Sequence, residues 1–420
     1  MPAPQEPSAA STSRLGSDEI ALVDESLRLL GDQADRAVGY FYAHLFVEAP
    51  QLRALFPAAM DTQRDRLFRA LTASVRTLDD PARSVPMMQQ LGRDHRKYGV
   101  RAEHYELVGR ALLASLARHL EGYWVPELEA AWVAAYEQMA RTMIDGAREA
   151  ATTQPAWWRG EIVAHERRAD DIAVIVVRTD RHYEYEAGQY ASIETSYRAR
   201  SWRTYSMATA PSPDGLLEFH VRALDAGWVS GPLVWRAKAG DLLRLGAAQG
   251  EMHIDKKSSR DVLCVAGGTG LAPIKAMVDD MSKWNGSRRV TLFFGTRRAH
   301  ELYDLVALQR LASLNRWLEV VPVVSDDPTF AGERGLLPDV VARRGSWTDH
   351  DVVICGSPAM TRATHDRLVA GGVAPQRISF DVVGEAHPAA AQVIDLRGHQ
   401  RGSARRRSSR SSERMGRPSR

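Results

Sequence analysis

The apolar pattern of this chain changes period twice, near residue 150 and near residue 260, and each period admits a different kind of domain. From about residue 17 to 150 the apolar residues recur at helical spacing. "IALVDESLRLLGDQADRAVGYFYAHLF", "QRDRLFRALTASVRTL", "YELVGRALLASLARHL" and "ELEAAWVAAYEQMARTMI" each keep one apolar face. Pro50, Pro57, Pro81 and Pro86 fall at the breaks between these patterns. No period-two alternation interrupts them, so the region predicts an all-α domain. Between 156 and 255 the segments shorten to "RGEIVAHERRA", "IAVIVVRTD", "QYASIET", "WRTYSMAT", "LEFHVRAL" and "KAGDLLRLGAAQG". They are rich in β-branched and aromatic residues and bounded by turns, which predicts an antiparallel β-barrel or sandwich. From 261 to about 385 strand and helix patterns alternate, as in "DVLCVAGGTGLAPIKAMVDDM", "RVTLFFGT", "LEVVPVVS" and "DVVICGS". That alternation predicts an α/β domain with a parallel sheet covered on both faces.

Composition bounds the rest. A chain of 420 residues, 44% hydrophobic and 25% charged, reads as a soluble multidomain protein. No apolar run approaches the ~20 residues that a membrane-spanning helix needs. Residues 1–16 have no apolar signal segment and read as a disordered leader. The two cysteines, Cys264 and Cys355, form no disulfide framework or zinc motif, which suits a reducing compartment and predicts a cytoplasmic protein. Residues 397–420 hold nine arginines and one glutamate, so this tail carries +8 while residues 1–396 carry −5. Such a tail lacks the apolar residues to fold. It reads as a solvated appendage, the alternative being contact with nucleic acid or acidic lipid. The folded body has no basic excess that points to nucleic acid.

Three stretches carry chemistry. In "VAGGTGLAP", residues 265–273, an apolar strand runs into Gly268-Thr269-Gly270 and then a helix. Glycines allow close backbone approach, and a helix start offers unpaired N–H groups to a diphosphate. "RTYS", residues 203–206, sets Arg203, Tyr205 and Ser206 on a barrel strand. An Arg pairs with phosphate, a Tyr packs on a flat ring and a Ser bonds a ring nitrogen; the plainer reading is an exposed strand. "HVRALDAGWVS" adds Gly227 and Ser230 at a turn entering a helix. The third stretch, "LGRDHRKYG", puts His95 on a helical face with Met88, Leu91 and Tyr98, where the pattern asks for an apolar residue. That histidine is either a satisfied core residue or a ligand. His44, His104 and His119 need no special role.

Taken in order, RTYS, HVR…GWVS, GGTGLAP, FFGTRR and CGSPAM resemble the ferredoxin–NADP reductase superfamily over residues 156–385. The resemblance implies an FAD-binding barrel followed by a nicotinamide-binding domain using NADH or NADPH. Arg203, Tyr205 and Ser206 would bind the flavin, and Gly227 and Ser230 its diphosphate. Gly268, Thr269 and Gly270 would meet the dinucleotide, with Cys355, Gly356 and Met360 beside the nicotinamide. Arg297 and Arg298 would reach the adenosine ribose or its 2′-phosphate.

Ahead of such a reductase, "FYAHLFVEAPQLRALF", "QRDRLFRAL", "DHRKYGVRAEHYELVGRALLASL" and "AWVAAYEQMA" resemble the globin domain of a flavohaemoglobin over residues 17–150. The resemblance makes His95 the proximal ligand of haem b. Tyr42 and Gln63 become the distal pair facing dioxygen, Leu67 a wall of that pocket, Phe56 the aromatic packed on haem and Tyr105 a proximal-side tyrosine. Without it, Tyr42 is a core tyrosine and Gln63 an ordinary helix-start residue. The implied activity is passage of electrons from NAD(P)H through FAD to haem, with dioxygen oxidising nitric oxide to nitrate. A reductase with another electron donor or an oxygen- or peroxide-reducing role, and a haem-based gas or redox sensor, are the alternatives. Two positions depart from the family pattern. Ala147 stands where a glutamate usually bonds the proximal histidine; its absence implies a higher haem potential unless Glu149 or another acceptor substitutes. Val383 stands where an aromatic usually covers the flavin, with Phe380 nearby.

Overall fold

The computed structural model describes residues 15–225 and 227–382, the side chains of Asp61, Thr62 and Asp65 excepted. The Val383 position, the leader up to residue 14 and the arginine-rich tail lie outside these residues.

The helical region builds α1 (Ser17–Leu30), α2 (Ala34–Glu48), α3 (Asp61–Val75), α4 (Pro81–His95), α5 (Ala102–His119) and α6 (Pro126–Thr153). The first apolar period is continuous in sequence but broken in space. Gly31 turns at φ 41° into a short 3-10 segment, so α1 and α2 are separate helices. Pro86 corrects another expectation, because it lies inside α4 instead of at a break. The helix is started by Pro81, with the Asp80 side chain accepting from the Ala82 N–H at 3.1 Å. Pro86 sits one turn later, where it removes a single bond near the helix start and the helix continues. The core is built on Trp132, Leu45, Leu27, Phe41 and Met88, and the Trp132 indole donates to the Ser26 hydroxyl at 2.9 Å.

Two glycines set how closely α4 and α6 approach. A β-carbon on Gly92 would lie 1.9 Å from the Met143 carbonyl oxygen, and one on Gly146 would lie 2.5 Å from that of Gln89. The helix backbones therefore touch directly, immediately before His95.

Next come β1 (Trp158–Ala169), β2 (Ile172–Thr179), β3 (Tyr190–Thr195), β4 (Arg203–Ser206), β5 (Leu216–Arg222), α7 (Ser230–Trp235) and β6 (Leu242–Leu245). The strands pair antiparallel in the order β4-β3-β6-β1-β2-β5. An antiparallel bridge of Met207 with Phe219, and Ala208 N–H donating to Glu218 C=O at 2.7 Å, nearly close the sheet on itself. Of barrel or sandwich, the chain forms the barrel, filled by Ile162, Ile175, Met207, Leu217 and Phe219.

The last region comprises β7 (Val262–Gly267), α8 (Leu271–Met281), β8 (Val290–Thr296), α9 (Leu305–Leu314), β9 (Leu318–Val324), β10 (Glu333–Arg334), α10 (Leu337–Arg344), β11 (Asp351–Gly356), α11 (Pro358–Ala370) and β12 (Ile378–Val382). All pairs are parallel, in the order β10-β9-β8-β7-β11-β12. The strand order reverses beside β7, and ligands of open α/β sheets bind at such a switch point. Cys264 and Cys355 are free and buried. Among the described residues no helix is long and apolar enough to cross a membrane.

Candidate functional site

His95 is the last residue of α4. Its Nδ1 lies 2.7 Å from the Leu91 carbonyl oxygen, one helical turn back. A carbonyl only accepts, so Nδ1 carries the proton and Nε2 is left with its lone pair, the form in which imidazole binds a metal. Burial pushes the pKa of this imidazole down, which keeps it neutral. The partner is a backbone carbonyl and not a carboxylate. Glu149 does not substitute for the missing family glutamate, because its carboxylate pairs with Arg93 at 2.9 Å near the surface.

A second group of residues comes from α2, α3 and the turn between them. Tyr42 is 4% exposed, and its ring contacts Phe46 and Phe56 at centroid distances of 5.9 and 5.6 Å. Arg53 holds the Phe56 turn by donating to the carbonyls of Phe56 at 3.2 Å and Pro57 at 2.9 Å. The Tyr42 hydroxyl donates weakly, at 3.5 Å, to the Gln63 carbonyl in the first turn of α3. Burial pushes the Tyr42 phenol up, so it keeps its proton at physiological pH. Leu67 follows Gln63 by one turn and packs on the same core. Tyr105, on α5, is half-buried, its phenol pushed up to about 12 by burial, and its carbonyl accepts from the Tyr136 hydroxyl at 2.5 Å. Phe46, Phe56, Leu67, Leu91, Leu107 and Met143 pack on the core yet stay partly exposed. An apolar, half-buried lining with a neutral imidazole fits a flat macrocycle carrying a metal ion.

In the barrel, β4 pairs Arg203 with Ile193, Tyr205 with Ala191 and Ser206 with Tyr190. Arg203 and Tyr205 therefore share one face and Ser206 takes the other. The Arg203 guanidinium donates to the Trp202 carbonyl at 2.9 Å, and burial pushes the Tyr205 phenol up. Gly227 and Ser230 meet in the turn before α7. A β-carbon on Gly227 would lie 2.3 Å from the Ser230 hydroxyl oxygen, which accepts from the Leu224 N–H at 3.2 Å.

The glycine turn after β7 faces the end of β11 across the switch point. A β-carbon on Gly270 would lie 2.3 Å from the Cys355 carbonyl oxygen, and Met360 lies over Gly267 and Gly356. Gly268, at φ 54°, sits against Arg222 of the barrel. The Cys355 thiol is packed in the core, where burial pushes its pKa up, so the backbone of this segment is what borders the crevice. Arg297 is exposed, with its guanidinium 3.9 Å from Glu301, and Arg298 is exposed beside it. Phe380 lies on β12, edge-on to His365.

Sequence reasoning missed a buried charge network between barrel and α/β domain. Lys275 of α8 lies 2.8 Å from both Glu218 of β5 and Asp304, and Arg168 of β1 also pairs with Asp304. His220 bridges Glu218 at 2.9 Å and the Tyr303 hydroxyl at 2.8 Å. Donor atoms of Glu218, His220 and Asp304 lie within 4.8 Å of one another, the spacing of a metal site, but the Lys275 ammonium already supplies the positive charge there. "HVR" was the one local signal, and it names only His220. Burial alone would raise the Glu218 carboxyl; the His220 bond and the Lys275 charge outweigh it and hold it down to about 2. A carboxyl depressed in the fold stabilises fully above its ordinary 4.5, and that contribution is lost as pH falls from there toward 2. Urea titrations across this window are expected to show a shallower acid loss of stability in Glu218→Gln than in wild type. Equal slopes would mean that Glu218 is not held as a carboxylate.

Comparison with known proteins bears on the whole arrangement. Residues 39–143 match the globin family, 159–254 the oxidoreductase FAD-binding domain and 264–366 the oxidoreductase NAD-binding domain. A flavohemoprotein of Bordetella parapertussis is 28% identical over 396 residues, covering 87% of this chain and 97% of its own. This chain belongs to the flavohaemoglobin family. Its reductase half is also 32% identical over 228 residues to the ferredoxin reductase component of the naphthalene 1,2-dioxygenase system of Pseudomonas putida, covering 53% of this chain and 68% of that one. The flavohemoglobin of Malassezia yamatoensis, solved with bound FAD and heme, superposes with a TM-score of 0.74 at 18% identity, covering 89% of this chain and all of that one. A flavohaemoglobin joins a haem globin to an FAD- and NAD-binding reductase, and this chain is an NAD(P)H-dependent oxidoreductase that carries electrons from flavin to haem.

Proposed function

We propose that this flavohaemoglobin oxidises nitric oxide to nitrate with dioxygen, drawing electrons from NADH or NADPH. When bound, haem supplies the iron that takes up dioxygen, and FAD converts hydride equivalents into single electrons. The protein's own residues do the rest. His95 would hold the iron through Nε2, while the Leu91 carbonyl fixes its ring by the Nδ1 bond. Tyr42 and Gln63 would supply the polar groups toward a small bound ligand, with Phe56 and Leu67 as apolar surroundings suited to uncharged gases. Tyr105 packs on the proximal side. Arg203, Tyr205 and Ser206 orient the flavin, with Gly227 and Ser230 at its diphosphate. Gly268, Thr269 and Gly270 receive the dinucleotide, Gly356 and Met360 border the nicotinamide beside the Cys355 backbone, and Arg297 reaches the adenosine ribose.

The observation that carries this reading is Tyr42. A buried phenol held in its protonated form, with a 3.5 Å bond to a carbonyl, is a neutral donor ready for a better acceptor. Charge developing on a small ligand beside it would be that acceptor.

The test begins with the purified holoprotein under anaerobic conditions. NADH is expected to bleach the flavin and shift the Soret band to its ferrous form. Admission of oxygen and nitric oxide should then yield nitrate in step with nitric oxide consumed. Tyr42→Phe, which removes only the hydroxyl, is expected to slow that consumption about tenfold. Haem reduction without nitrate formation would sink the dioxygenase reading and leave an electron-transfer flavohaemoprotein.

A further inference from the structure

The globin meets the barrel at the end of α4, and one buried cation organises the contact. Lys97, two residues after His95, is 7% exposed. Its ammonium pairs with Asp94 and donates to the Ser192 hydroxyl of β3 at 3.0 Å. Asp94 in turn accepts from the Gln249 side-chain amide of the barrel at 2.7 Å. Gly246 leaves the room this needs, since a β-carbon there would lie 3.1 Å from the Lys97 stem. The same ammonium lies 5.0 Å from the ring centre of Tyr98 and 5.6 Å from that of Trp202, in range for attraction to both ring faces.

Around this latch three rings run edge-to-face from one domain into the other. His95 and Tyr98 have centroids 5.9 Å apart at 82°, and Tyr98 and Trp202 have centroids 6.1 Å apart at 88°. Trp202 is buried and directly precedes Arg203 on β4. The series thus begins at the imidazole read as the iron ligand and ends beside the strand read as the flavin support.

We propose that the His95–Tyr98–Trp202 ring series is the bridge by which electrons cross from the flavin barrel to the globin, and that Lys97 is the latch that keeps the bridge closed. The proposal rests on the assignment of His95 and β4 given above. Electronic coupling decays faster across gaps than through packed atoms, and these rings replace a gap at the domain seam. In each crossing one electron leaves reduced flavin and one ferric iron becomes ferrous. No bond forms or breaks in the three rings, and none of them is oxidised. Burial pushes the Tyr98 phenol up, so it carries its proton throughout. Tyr98, Trp202 and Lys97 are positioning residues, acting through His95 on one side and the β4 strand on the other.

Stopped-flow mixing of the anaerobic holoprotein with NADH separates the flavin-bleaching phase from the Soret phase. Tyr98→Leu and Trp202→Leu are expected to slow the Soret phase by ~10- to 100-fold, the scale at which small misplacements act. Flavin bleaching in Tyr98→Leu should keep its wild-type rate, and Tyr98→Phe should restore the Soret phase because it keeps the ring. Lys97→Met should slow the Soret phase and also raise the radius of gyration in small-angle scattering, as the globin swings from the barrel. Soret rates at wild-type level in both leucine variants would overturn the bridge. Should Tyr98→Leu lose haem, Trp202→Leu, on the other domain, decides alone. A wild-type Soret band that never shifts would overturn the electron path and the bridge together, whereas a normal shift with indifferent variants overturns the bridge only.

Discussion

Replacing His95 with alanine is expected to abolish the Soret band while leaving flavin absorbance and NADH-driven ferricyanide reduction at wild-type level. The reasons lie in local geometry. His95 closes α4 with its Nδ1 proton committed to Leu91, so Nε2 is free for a metal. Tyr42, Phe56 and Leu67 of the same core supply a protonated phenol and apolar surface, and none of them an imidazole. Loss of an outer partner of a metal ligand already costs about 10- to 100-fold in affinity, so loss of the ligand itself should exceed ~100-fold. The reductase should be indifferent, because its core is separate from that of the helical domain. Haem content per flavin and the absorption spectrum read the outcome. Added imidazole should restore a Soret band in the alanine variant, which a merely structural histidine would not allow. A normal Soret band without His95 would remove the ligand assignment.

The second large effect is expected at a residue with no chemistry. Gly92→Val places a β-carbon 1.9 Å from the Met143 carbonyl oxygen, on helix backbone that has no rotamer to move. Overpacking a core usually costs ~1–3 kcal/mol because flexible side chains give way. Here α4 and α6 must separate, so the cost should be about 3 kcal/mol or more, equivalent to a fall in melting temperature of about 10 °C for a domain of this size. The chain has several cores and does not melt as one unit, so two probes are needed. The Soret-monitored transition should fall while the flavin-monitored one stays. Equal shifts in both would mean that the domains unfold together and the glycine contact is not local to the globin.

Both predictions start from residues visible in the sequence, but for different reasons. His95 stands out because it breaks an apolar face, and that signal is local. Gly92 and Gly146 do not stand out, because a glycine inside a helix looks like a weak helix former until the opposing helix is placed. The same holds for Lys97, which no period in the sequence marks and which is packed against Ser192 and two rings. Pro86 shows the opposite error. It reads as a break because proline usually is one, yet near a helix start it forfeits one bond and the chain continues through it.

What the residues determine by themselves is whatever depends on spacing along the chain. A 3.6-residue period, a two-residue alternation and a strand–glycine–helix junction are written in consecutive positions, so three domains and the turn at Gly268–Gly270 follow from them. Tertiary structure alone decided the partners. It gave His95 a carbonyl in place of a carboxylate, tied Glu149 to Arg93, set Lys275 between Glu218 and Asp304, and brought Tyr98 to Trp202. Except for the bond to Leu91, these contacts join residues dozens of positions apart, and no local period records which distant side chain will fill the space beside a given one.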